Sequence, residues 1–167
     1  MSNTDKFTIN TPNKKKKKKF TFTDDQTKAY NGLIKFINEP YNPKDFKRAL
    51  IGPGGTGKTF LLKALLQDCN IPFSEIGLSA PSHKACRVLK NSIRGTHCNV
   101  NTIQSDFGFK PNYDIEKFDI NNVTFSSYGR IKIEDYRLYI VDEASMLNRS
   151  LVTYIDKMMK KYSIKLI

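Results

Sequence analysis

The sequence is short of several things, and each shortage narrows what it can be. No run of about 18 apolar residues occurs, the length a transmembrane helix requires. The start of the chain lacks the apolar core of a signal peptide, so an intracellular protein is expected, cytoplasmic or nuclear, in a cell or in the host of a virus or phage. Cysteine is scarce. Cys69, Cys86 and Cys98 are an odd set without a CxxC pair, and they read as reduced thiols. His97-Cys98 has no second pair at ligand spacing, so a metal site there is not expected. Acidic residues are also few: 16 Asp and Glu face 28 Lys and Arg, a net charge of +12.

Six of those positive charges sit in residues 14–19, and the remainder is still +6. A basic surface fits a polyanionic partner, nucleic acid first. A bias of the gene toward A and T would produce the same Lys, Asn and Ile enrichment, and composition does not separate the two. Residues 1–20 are polar and end in the lysine block, which predicts a disordered basic arm.

Beyond the arm, 167 residues leave room for one domain with a real core. Thr23-Asp-Asp-Gln26 has the capping-box pattern, and Tyr30, Leu33, Ile34 and Ile37 follow at helical spacing until Pro40 and Pro43. Residues 47–51 read as a strand, 57–67 as a buried helix and 74–80 as a strand. Residues 83–90 read as a helix with Val88 and Leu89 inward, and 101–107 as a short helix. Residues 137–141 form an apolar strand suited to a parallel sheet. The helix after it carries Leu151, Val152, Ile155, Met158 and Met159 on one face. Strands alternating with helices predict an α/β fold, a parallel sheet flanked by helices. Residues 109–133 mix aromatic and β-branched residues with Asn, Asp and Gly, and predict a small β-rich insertion. The core domain is then 21–108 plus 134–167.

Two segments carry chemistry. Gly52-Pro-Gly-Gly-Thr-Gly-Lys58-Thr59 matches the P-loop pattern in full, between a predicted strand and a predicted helix. Gly52, Pro53, Gly54, Gly55, Thr56 and Gly57 would wrap phosphate oxygens in backbone N–H groups. Lys58 would reach the β- and γ-phosphates of ATP, and the Thr59 hydroxyl would hold Mg²⁺. The strand ending in Asp142-Glu143 has the Walker B form. Asp142 would bind Mg²⁺, and Glu143 would orient and deprotonate the attacking water. Gln26 has two readings from spacing alone. Its amide suits an adenine edge, and it also suits the capping box with Thr23.

Taken in order, these segments resemble superfamily 1 helicases, in the branch of RecD-like and phage Dda-type enzymes. Residues 22–26 resemble the Q motif and 52–59 are motif I. Residues 78–85 (Leu-Ser-Ala-Pro-Ser-His-Lys-Ala) are similar to motif Ia. Asn101-Thr-Ile-Gln-Ser105 is similar to the T-I-H-S segment, with Gln104 in place of its His. Asp142-Glu-Ala-Ser-Met146 matches the D-E-x-S-M form of motif II. The resemblance implies a P-loop (RecA-like) ATPase domain and favours Gln26 as adenine reader. It implies single-stranded DNA or a DNA fork as partner, with Pro81, Ser82, His83, Thr102 and Ser105 as DNA contacts. It places a strand-separating pin in the insertion, where Phe118, Phe125 and Tyr128 either stack bases or form a local core. The family's motif III, G-D-x-x-Q, would follow the strand beginning at Ile164, where this sequence stops. An N-terminal helicase portion is therefore expected, inactive or weakly active alone and completed by a C-terminal half, in the same or a separately encoded chain. Full activity would be ATP-driven 5′-to-3′ unwinding. Two other classes fit less of the pattern: a non-catalytic nucleic-acid-binding remnant of a split or decayed helicase gene, and another P-loop NTPase such as a nucleotide kinase.

Overall fold

A computed structural model describes residues 20–109, 117–119 and 130–167. The basic arm through residue 19 and most of the predicted insertion, including Tyr113, Val123, Phe125 and Tyr128, lie outside the described residues.

Helix α1 (Asp24–Asn38) opens with the expected capping box: Gln26 N–H donates to Thr23 Oγ1, and Thr23 N–H donates back to Gln26 Oε1. Helix α2 (Lys58–Asp68) follows the glycine loop. Strand β1 (Ile76–Ala80), helix α3 (His83–Ser92), strand β2 (Asn99–Thr102) and the single turn α4 (Ile103–Asp106) come next. Strand β3 (Leu138–Val141), helix α5 (Arg149–Lys161) and strand β4 (Lys165–Leu166) end the chain.

The four strands are all parallel, in the order β2-β1-β3-β4. Alternation along β3 sorts the core into two layers. Leu138 and Ile140 join Ile76 and Leu78 of β1 beneath α1, α2 and α3. Tyr139 faces the other way, toward Phe107 and the Leu151, Ile155 and Met159 stripe of α5. Gly77 makes room for that second layer, since a Cβ there would lie 2.4 Å from the Tyr136 ring and 2.8 Å from that of Tyr139.

Several local expectations need correction, among them Val152, which is exposed on α5 although read as part of its apolar face. Residues 47–51 form no ladder beyond one parallel bridge, Lys47 to Leu166, with Arg48 N–H donating to Leu166 O and Leu166 N–H to Phe46 O. Residues 101–107 split between the end of β2 and α4. Val88 is exposed while Leu89 is buried, because α3 turns only one narrow face to the sheet. Phe20, assigned to the arm, packs edge-on against Phe60 at 5.2 Å, beside Phe22 and Tyr30.

Candidate functional site

Parallel strands send their C-terminal ends to one edge of a sheet, where α/β proteins place their ligands. Here Lys47, Leu166 and Tyr139 lie at one level of the sheet, through the Lys47 bridge and the β3–β4 register. The glycine loop begins five residues beyond Lys47, and Asp142 comes three beyond Tyr139. Both chemical segments therefore leave the same edge, on either side of β4. Ala80 pairs with Thr102, so residues 81–83 and 103–105 leave that edge too.

Helix α2 is the odd one among the described α-helices. A side chain caps each of the others: Thr23 on α1, Ser82 on α3, Thr102 on α4 and Asn148 on α5. The N-cap of α2 is Gly57, which has no side-chain cap bond, so the first N–H groups are left for an anion. Gly57 sits at φ 83°, and a Cβ there would come 2.7 Å from Gln26 Nε2. Lys58 Nζ donates to Gly52 O at 2.7 Å and Pro53 O at 2.8 Å, which holds the ammonium inside the loop. Thr56 Oγ1 donates to Pro53 O. An uncapped helix start, a lysine folded into the loop and a threonine on the first turn suit a magnesium-nucleotide polyphosphate.

Gln26 does more than either reading alone foresaw. Its carbonyl completes the capping box while its Nε2 donates to Thr56 O at 3.0 Å. The start of α1 is thereby fastened to the loop.

Asp142 continues β3, and its N–H donates to Ser79 O at 2.8 Å. Its Oδ1 accepts Glu143 N–H at 3.1 Å. Glu143 takes a left-handed backbone, φ 55° and ψ 36°, uncommon for a side chain of its size. Such conformations cost about 1–3 kcal/mol and gather at functional sites. Glu143 is exposed and Asp142 half-buried.

The DNA-contact candidates divide by role. Ser82 Oγ accepts Ala85 N–H at 3.1 Å, and Thr102 Oγ1 accepts Ser105 N–H at 3.3 Å, so both serve as caps. Pro81 and Thr102 are buried, whereas His83 is exposed at the first position of α3. Ser105 Oγ accepts from Lys132 Nζ at 2.9 Å. Lys132 is an exposed cation beside this segment that sequence reading missed, because it lies 27 residues away in the chain. Phe118 is buried against Phe109 and Tyr154, with centroids 5.3 and 5.5 Å away, and belongs to the core.

No group of three or more His, Cys, Asp or Glu among the described residues is placed to hold a metal. The Cys98 thiol is pushed up to about 11 by burial, and burial also raises Cys69 and Cys86, so all three stay protonated at neutral pH. No helix among the described residues is long and apolar enough to cross a membrane.

The parallel α/β fold and the glycine loop define a P-loop nucleotide-binding domain. The chain belongs to the AAA domain family, whose model matches residues 34–167. A crystal structure of Pif1 helicase from Bacteroides, in a double-mutant form, superposes with a TM-score of 0.55 at 24% identity. The match covers 89% of this chain and 31% of that one, so this chain spans less than a third of that structure's length. No curated protein sequence matches it. At that identity the likeness shows the fold, a parallel sheet flanked by helices as expected for a RecA-like domain.

Proposed function

We propose that the chain is the ATP-binding N-terminal portion of a DNA helicase of the RecD-like, Dda-type branch. In the complete protein, hydrolysis would drive 5′-to-3′ movement on single-stranded DNA and opening of a fork. The observation that carries this reading is the pairing of the uncapped α2 start, beneath a full P-loop, with Asp142-Glu143 on the same sheet edge. Mg²⁺, when bound, neutralises charge on the phosphate oxygens. Lys58 would release its two loop carbonyls to take the β- and γ-phosphates. Thr59 and Asp142 would hold the metal. Glu143, already turned out by its left-handed backbone, would accept the proton of the attacking water. Gln26 would read adenine by exchanging its bond to Thr56 O for the base edge.

The DNA path would follow Pro81, Ser82, His83, Thr102 and Ser105, with Lys132 adding charge. Backbone phosphates suit the exposed His83 and Lys132 side chains beside this segment. A C-terminal half, in the same or another chain, would supply the remaining walls of the site. Arginine fingers in related NTPases contribute about 10³–10⁵ in rate.

ATPase assays with and without oligo-dT test the reading. DNA-stimulated hydrolysis that rises when a C-terminal half is added supports it. Phosphate transfer to a nucleoside without DNA stimulation would instead make the protein a kinase. Processive unwinding by these 167 residues alone would refute the portion assignment.

A further inference from the structure

Between the two functional segments lies a buried polar junction that neither motif contains. Asp106, the last residue of α4, is fully buried. One carboxylate oxygen accepts Asn101 Nδ2–H at 2.8 Å, from β2. The other accepts the Tyr139 hydroxyl at 2.9 Å, from β3. Tyr139 is also fully buried, held edge-on against Phe107 and stacked on Tyr136. The main chain of Asp106 is engaged as well, its carbonyl accepting Lys132 N–H at 2.9 Å. One side chain therefore joins three elements: β2, α4 and the strand that delivers Asp142 three residues on. Its neighbour Ser105 belongs to the segment read as contacting DNA, and Lys132, bonded to both residues, is the charge beside it.

A buried carboxylate with two donors tolerates little displacement, because losing either donor leaves charge unsatisfied in a low dielectric. An apolar contact would let α4 slide over β3, whereas these two directed bonds do not. We propose that Asp106 is a positioning residue that ties residues 102–105 to the Walker B strand through Tyr139, so that single-stranded DNA bound at one alters nucleotide binding at the other. The proposal rests on the helicase reading, and it adds the physical connection between the two sites.

The test is titration of a fluorescent ATP analogue into the chain, with and without saturating oligo-dT, for wild type, D106A, D106N and Y139F. Thermal melting confirms that each is folded. The wild type is expected to change its nucleotide affinity at least fivefold on DNA binding, within the usual range of coupled sites. D106A and Y139F should reduce that to less than twofold while nucleotide affinity without DNA stays near wild type. D106N should retain the coupling, because its amide can accept from Asn101 and donate to the Tyr139 oxygen. Should D106A not fold, Y139F carries the same test, since it keeps the ring packing and removes only the hydroxyl. A folded Y139F with undiminished coupling overturns the link and leaves the helicase reading standing. A wild type whose nucleotide affinity ignores DNA defeats that reading, and the link falls with it.

Discussion

The charge on Asp106 should be readable as a pH-dependent stability difference. Burial raises its carboxyl from 3.8 to about 6, against the opposing pull of Tyr139, Asn101 and Lys132. The Cys86 thiol of α3 and the Tyr136 phenol also feel its charge, and both are themselves raised mainly by burial. A carboxyl that holds its proton more tightly when folded makes the folded state bind more protons than the unfolded one. Its contribution to stability is therefore fully present below pH 3.8 and is lost as pH rises through about 6. At 1.36 kcal/mol per pH unit the loss amounts to about 3 kcal/mol. In D106N the side chain keeps its size and its partners but cannot ionise. D106N should match wild type near pH 4 and exceed it near pH 7 by about 3 kcal/mol, or roughly 6–12 °C in melting temperature. Urea unfolding of both proteins at several pH values from 4 to 7 measures the difference directly, and the other carboxylates cancel. A difference that stays flat across this range would refute the buried ionisation.

Other outcomes follow from single contacts. G57A forces an L residue into a left-handed backbone, costing about 1–2 kcal/mol, and pushes Gln26 off Thr56 O; reduced melting temperature and weakened nucleotide binding should appear together. Q26A removes half the capping box and should lose about 1 kcal/mol by urea titration. The same variant should bind ATP and GTP analogues with equal affinity if Gln26 reads adenine. K165M tests a buried lysine whose Nζ donates to the carbonyls of Phe36, Ile37 and Glu39, closing the end of α1. It strips the last turn of its donor and should destabilise the fold by about 1–3 kcal/mol, read by the same titration.

What could be read in the sequence was local. The capping box, the glycine loop and the acid-ended strand are each written within a few consecutive residues, so spacing alone exposed them. The parallel sheet followed from the order of such segments. Harder features depend on partners far apart in the chain. Lys165 looks like a surface residue in its strand, yet it reaches carbonyls 126 to 129 positions earlier. Asp106 carried no motif, and its meaning came only when β3 placed Tyr139 beside it. The strand at 47–51 has strand-like composition, but its pairing depends on a β4 of two residues, which offers one bridge. Val88 was misplaced because apolar character was read as burial, when packing had already filled that face with Leu89 and Ile93. Gln26 shows a third case: both local readings were available, and its bond to Thr56 O required the loop to fold back over α1.

The proposed magnesium-nucleotide site at residues 52–59 is built on the free start of α2 and on Lys58. Isothermal titration of the non-hydrolysable analogue AMP-PNP into wild type and K58A, with and without Mg²⁺, tests it most directly. Wild type should bind with a clear dependence on Mg²⁺, and K58A, still folded by its melting curve, should lose binding at least tenfold. Equal binding by the two proteins would contradict the site assignment and every role built on it.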